Sequence, residues 1–191
     1  MRLYLIRHAE AVDSPPGERF LDDLRALTPR GGKRFRRTAR AFARLGETVD
    51  SVRSSPALRA VQTAELFASQ LGRAFVAVLE ELRPGVAPVL LRDWVLAQRM
   101  ESLALVGHGR QLRELAWLLL GPEPPFAPKK GSIVRIDLRG EQAVSIVIRT
   151  TRRKRRGMRR VLARRGVSNA RRAAEIGRGR SRQSTVDSRQ F

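Results

Sequence analysis

Short apolar runs alternate with amphipathic stretches along most of this chain. Met1-Arg2-Leu3-Tyr4-Leu5-Ile6 has the length and composition of a buried strand. Further strands are expected over 48–53, 75–79 and 102–107. Helices are expected between them: from about Gly32 to Leu45 with Phe35, Ala39, Phe42 and Ala43 on one face, from the segment after Ser54 to about Leu71, from Pro88 to about Met100 with Trp94 turned inward, and from about Gln111 to Leu120. Glu80–Gly85 reads as a turn, and Gly121-Pro122 stops the last helix. Ser132–Leu138 and Ala143–Ile148 alternate apolar with polar residues around Arg139–Gln142, which reads as a hairpin. Repeated strand–helix units predict an α/β fold, its largely parallel central sheet flanked by helices on both faces. The chain holds no internal repeat.

The chemistry sits at the strand-to-helix junctions. Arg7-His8 closes the first strand, at the carboxyl end where open α/β sheets hold ligands. The chain has only two histidines, and the second, His108, repeats that setting between a strand and a helix, within Gly107-His108-Gly109. Glycine permits close backbone approach to a ligand, and a helix start offers free N–H groups to an anion. The third junction carries Arg59 in the first turn of a helix. A cation is disfavoured there by the helix dipole unless an anion is bound beside it.

Three blocks in this order resemble the histidine phosphatase superfamily, also called phosphoglycerate mutase-like. They are Arg7-His8-Ala9, then Ser55-Pro56-Ala57-Leu58-Arg59-Ala60-Val61-Gln62-Thr63-Ala64, then Val106-Gly107-His108-Gly109. Within the superfamily the chain looks most like the small SixA-type phosphohistidine phosphatases. The Arg-His-Ala-Glu-Ala start, Arg25–Gly31 before the first helix, and Pro128-Lys129-Lys130-Gly131-Ser132 before the last strands carry that likeness. It covers roughly residues 1–150.

The resemblance implies a phosphatase in which His8 is the nucleophile and forms a phosphohistidine intermediate. Arg7 and Arg59 would clamp the phosphate oxygens, and His108 would be a further donor to the transferring group. Physics agrees: guanidinium charges nearby disfavour an imidazolium and keep a histidine nucleophilic. A hydrogen bond to the other ring nitrogen of His8 must orient it. The proton donor is the open role. Glu81 is the candidate, with its neighbour Glu80 and, more weakly, Glu10 beside it. A solvated turn is the plain alternative for Glu80 and Glu81. Ala9 stands where the family usually has glycine. Arg25 and Thr28 match family positions near the pocket and are read as structural. No cofactor and no metal are expected. The substrate is expected to be a phosphorylated protein, phosphohistidine above all, or else a small phosphorylated molecule.

Composition adds a second theme. The net charge is +21, and residues 151–191 alone contribute +13, from 15 Lys and Arg against 2 Asp and Glu. A basic enzyme steers anionic substrates. The expected organisation is a phosphatase domain over 1–150 and a basic tail over 151–191, disordered or partly helical, with Met158, Val161 and Leu162 as one weak apolar stripe. That tail is read as a solvated or non-native terminus before a binding module; its charge would allow non-specific contact with nucleic acid or another polyanion. The absence of cysteine excludes disulfides and thiolate metal sites. No apolar run is long enough to span a membrane, and no secretory signal is read, so a cytoplasmic protein is expected.

Overall fold

The structure is a computed structural model, and it describes residues 1–14, 19–72, 76–121, 127–139, 142–147 and 161–162. In chain order the elements are β1 (Arg2–Arg7), α1 (Pro29–Ala43), β2 (Ser51–Ser54), α2 (Leu58–Gln70), β3 (Ala77–Val78), α3 (Pro88–Leu96), β4 (Ser102–Gly107), α4 (Gly109–Leu120), β5 (Ile133–Arg139), β6 (Gln142–Val147) and β7 (Val161–Leu162). Short 3-10 helices cover Arg19–Leu24 and Glu80–Leu82. One sheet runs β3-β2-β4-β1-β5-β6-β7, in which five longer strands form the centre and two-residue strands form the edges. The β3-β2-β4-β1 half is parallel, and β5, β6 and β7 add antiparallel.

The unbroken apolar runs of β1 and β4 follow from their central place. A parallel strand covered on both faces cannot alternate apolar with polar residues. Leu3, Leu5, Leu103 and Leu105 pack on one face with Leu91 and Val95 of α3 and Leu112 and Leu115 of α4. Tyr4, Ile6, Ala104 and Val106 pack on the other with Phe35 and Phe42 of α1 and Phe67 of α2. The hairpin read around Arg139–Gln142 is β5–β6.

Several boundaries differ from the periodicity. Helix α1 begins at Pro29 rather than Gly32, because Thr28 caps it, accepting from the Gly31 N–H at 2.9 Å, and proline suits the first turn. Gly31 is a forced choice: a Cβ there would lie 2.1 Å from the Glu10 carbonyl oxygen. Helix α3 stops at Leu96, short of Met100. The expected strand 75–79 contracts to Ala77–Val78, and residues 73–75 lie outside the described part. Val161 and Leu162, read as part of a helical stripe, instead form β7 on β6, so the sheet runs past the expected end near Ile148. Met158 and the rest of 151–191 lie outside the described residues. Among the described residues no helix is long and apolar enough to cross a membrane.

Candidate active site

The parallel strands β1, β2 and β4 end together, and each end delivers one of the blocks singled out in the sequence. Strand β1 delivers Arg7 and His8, β4 delivers Gly107 and His108, and β2 leads through Ser54 and Ser55 into α2 with Arg59. The His8 N–H donates to the Gly107 carbonyl at 3.0 Å, and the Ser55 N–H to the Val106 carbonyl at 2.9 Å. Arg7, His8, Arg59 and His108 thus meet, with the two imidazole centroids 5.3 Å apart.

His8 is buried, and its Nδ1 lies 2.7 Å from the Ala9 carbonyl oxygen. A carbonyl only accepts, so Nδ1 carries the proton and Nε2 keeps a free lone pair. This is the orienting partner that the sequence could not name. Burial pushes the His8 pKa down to about 3, against the pull of the Ala9 carbonyl, and the charges of His108, Arg59 and Arg7 lower it further. His8 is therefore neutral at neutral pH. Ala9 is itself held, its N–H donating to Thr63 Oγ1 at 3.1 Å while that hydroxyl donates to the Arg59 carbonyl at 2.6 Å.

His108 caps α4 with its backbone and has both ring nitrogens engaged. Arg59 Nη2 lies 3.4 Å from Nδ1, and since arginine only donates, Nδ1 accepts. The Nε2–H then donates to Ser55 Oγ at 2.9 Å. Burial, followed by the Arg59 charge, brings the His108 pKa down to about 4, against the opposing pull of Asp22.

These two imidazoles give the folded protein a pH signature. They are the only histidines, so they alone among the side chains titrate ordinarily between pH 5 and 7. Both have folded pKa values below the ordinary 6.5. The unfolded chain therefore binds more protons, and stability falls as pH drops below about 6.5. A denaturation midpoint lower at pH 5 than at pH 7 is expected, with a smaller difference in the double variant His8→Gln/His108→Gln. An equal drop in that variant would remove the histidines as its cause.

Arg59 is 3 % exposed, with its Nη1 donating to the Asp22 carbonyl and its Nη2 to the Asp22 carboxylate at 2.7 Å. Arg25 Nε and Ser14 Oγ hold the other carboxylate oxygen of Asp22 at 2.9 and 3.3 Å. The Arg59 and Arg25 charges keep the Asp22 carboxyl below its ordinary range despite burial, so it is ionised. Asp22 is not among the site residues expected from the sequence. Its juxtaposition with Arg59 spans 37 residues and has no local signal.

Arg7 donates from Nη1 to the Pro128 carbonyl at 3.0 Å. The Gly131 N–H reaches the carbonyls of Arg7 and His8 at 3.0 and 3.1 Å, and the Arg7 N–H donates to the Ser132 carbonyl at 3.2 Å. The Pro128–Ser132 segment is thus the brace of the Arg7-His8 pair. The Nε atoms of Arg7 and Arg59 are buried and have no hydrogen-bond partner among the described residues. A buried, unpartnered charged donor is costly, and the Nε atoms of Arg25 and Arg53 share that lack of a hydrogen-bond partner.

Gly109 is the residue that Arg7 lies against: a Cβ there would come within 2.8 Å of Arg7 Cζ and Nε. Gly109→Ala is expected to leave the fold intact, because the guanidinium end can give way. The displaced Arg7 should cost turnover on the order of 10–100-fold, as small misplacements of positioned groups do. Steady-state kinetics beside a melting curve decide it, and unchanged kinetics would show that Arg7 needs no such seat.

Two of the three candidate proton donors are held by arginines outside this cluster. Glu80 is paired with Arg83, and Glu10 with Arg34. The Glu81 carbonyl accepts from Gln111 Nε2 at 2.7 Å, which ties the 80–82 turn to the first turns of α4. Among the described residues no hydrogen bond or ion pair links the Glu81 carboxylate to Arg7, His8, Arg59 or His108. Nor do the described residues contain a group of three or more His, Cys, Asp or Glu arranged to hold a metal ion.

Fold and site together define a phosphatase: the chain belongs to the histidine phosphatase superfamily (branch 1), whose family model matches residues 3–84. An uncharacterized protein of Picosynechococcus sp. is 34% identical over 120 residues, covering 61% of this chain and 71% of its own length. Among solved structures, the protein histidine phosphatase SixA complexed with tungstate superposes with a TM-score of 0.68 at 24% identity, over 76% of this chain and 94% of that one. A structure assigned as phosphohistidine phosphatase SixA of Agrobacterium tumefaciens gives 0.65 at 24% identity, over 75% and 94%. The α-ribazole phosphatase of Shigella flexneri gives 0.59 at 20% identity, over 78% and 96%. At these identities the structural likeness is one of fold.

Proposed function

We propose that this phosphatase transfers a phosphoryl group to His8 Nε2 and that its substrate is phosphohistidine in a protein. The observation that carries the reading is a buried, neutral imidazole with one free nitrogen, set among two guanidinium groups that each hold a buried, unpartnered N–H. Phosphoryl transfer needs in-line positioning and cations around the equatorial oxygens. Nε2 of His8 forms the new P–N bond as the bond to the leaving group breaks. The phosphoryl oxygens take donors from Arg7 and Arg59, which displaces the Asp22 carboxylate from Arg59. Ser55 can donate as well as accept. His108 can therefore shift its proton to Nδ1 and donate to the phosphoryl group, while the Ser55 hydroxyl donates to Nε2. Water then hydrolyses the phospho-His8 bond, releasing phosphate and restoring the imidazole.

The substrate class rests on the leaving group. A P–N bond to histidine is more labile than an ester and needs less acid help. Glu80 and Glu10 are engaged by arginines. A phosphomonoester is the second reading, and Glu81, whose carboxylate has no described ion pair, is the carboxyl left to protonate its leaving oxygen. Rapid quench with a phosphohistidine protein and with p-nitrophenyl phosphate tests both readings. The expected result is an acid-labile phosphoenzyme on His8 and a higher kcat/KM for the phosphohistidine protein. Faster turnover of the ester, lost in Glu81→Gln, would establish the second reading instead.

We further propose that residues 1–150 carry all of the catalysis. Every residue named in the chemistry precedes residue 109, and the brace on Arg7 ends at Ser132. Truncation after Thr150 also removes β7, a two-residue edge strand. Turnover of a small substrate should survive that truncation, whereas retention of RNA or DNA should fall and its salt dependence flatten, because fewer counterions are released. Loss of turnover in a truncated protein that remains folded would place the tail in the site.

A further inference from the structure

We infer that the outer face of α1 is a docking surface for an acidic protein, and that it presents the phosphorylated side chain to His8. The inference rests on the protein-phosphohistidine reading above and extends it to what lies around the phosphorylated residue. Helix α1 carries six basic residues and no acidic one. Arg30, Lys33, Arg34 and Arg37 recur at the i, i+3, i+4, i+7 spacing of one helix face, while Phe35, Ala39 and Phe42 face the core. All four are exposed, and with Pro29 they line an open concavity of about 390 Å³.

The stripe begins at the edge of the site. Arg34 pairs with Glu10 at 3.2 Å, two residues beyond His8. The Gly31 turn rests on the Glu10 backbone, and the Thr28 N–H donates to the Glu10 carbonyl at 3.0 Å. Among the described residues Arg30, Lys33 and Arg37 enter no ion pair. Like charges this dense on one helix face destabilise it, and an acidic surface laid against them would relieve that repulsion.

The chemistry favours a protein over a nucleic acid. Four basic residues over eight positions make a stripe about 11 Å long at 1.5 Å per residue, which matches two turns of carboxylate-bearing surface. Single-stranded nucleic acid is held by aromatic stacking as well as charge, and both aromatic rings of α1, Phe35 and Phe42, are buried. On the Arg59 side of the site, moreover, the part-exposed carboxylates of Asp22 and Asp23 would meet a continuing phosphate chain.

The test uses the full chain and the triple variant Arg30→Glu/Lys33→Glu/Arg37→Glu, which leaves the Arg34–Glu10 pair and the proposed catalytic residues untouched. An unphosphorylated, histidine-containing acidic peptide and a neutral counterpart are compared as inhibitors of p-nitrophenyl phosphate turnover. Inhibition reports binding that blocks the site, which retention of a peptide by charge alone does not show. The acidic peptide should inhibit the natural chain at low salt. Its inhibition constant should rise about tenfold or more in the triple variant and rise steeply with salt, as steering by charge requires. Turnover of p-nitrophenyl phosphate itself should be unchanged. Equal inhibition by the two peptides, or an inhibition constant unmoved by the triple variant, overturns the docking surface. A single-stranded RNA that inhibits more tightly through the same three residues reassigns the surface to nucleic acid and overturns it too. If instead the acidic peptide behaves as expected but its phosphohistidine form is not hydrolysed, the substrate reading fails and the docking surface stands.

Discussion

Replacing His8 by alanine is expected to abolish turnover while leaving a folded protein. The loss should be on the order of 10⁴–10⁶-fold, the range seen when a covalent nucleophile is removed. The fold should survive because the backbone bond from the His8 N–H to the Gly107 carbonyl needs no side chain. At pH 7, moreover, the imidazole is neutral in the fold, so alanine removes no paired charge. Two measurements check this together: incorporation of acid-labile phosphate, which should vanish, and the denaturation midpoint at pH 7, which should stay near that of the natural chain. Turnover by the alanine variant within a few-fold of the natural chain would remove His8 from the chemistry, whatever the geometry around it.

Arg59→Ala should produce the second largest loss, and its size should depend on Asp22. Removing a charged hydrogen-bond partner costs about 1.5–3 kcal/mol, which is roughly 10–150-fold in rate. The variant also strands an ionised carboxylate in the site, since Asp22 loses the guanidinium that its carbonyl and carboxylate both contact. Repulsion between that carboxylate and the phosphoryl group adds to the loss. The double variant Arg59→Ala/Asp22→Ala should therefore recover part of the activity of the single variant, a coupling that a mutant cycle measures directly. Inhibition by vanadate should weaken and partly recover in the same order. Strict additivity would show that Asp22 stays clear of the anion, and unchanged kinetics in Arg59→Ala would return Arg59 to a structural role.

Much of this protein is decided locally and is therefore legible in the chain. Strands β1 and β4 are apolar over Leu3–Ile6 and Leu103–Val106 because both their faces are covered there, and a continuous run records that directly. His8 and His108 sit at strand ends, and position within a strand–turn–helix unit is a property of neighbouring residues. Arg59 was marked by its awkward place in a first helical turn, again a local matter. The helix starts were less legible. Thr28 and Pro29 set the start of α1 by capping chemistry, while periodicity alone puts it three residues later.

What the tertiary structure decided are the partners. The Ala9 carbonyl that orients His8 is adjacent in sequence, but only the folded geometry selects it over every other acceptor. Ser55 reaches His108 across 53 residues and Asp22 reaches Arg59 across 37. Gly109 is read from sequence as a helix-opening glycine; that Arg7 lies against it emerges only when β1 and β4 pair in register. The physical reason is common to all of them. Backbone preference and hydrophobic period are carried by neighbouring residues, whereas hydrogen-bond pairing and charge compensation depend on distances that come into being when the sheet forms.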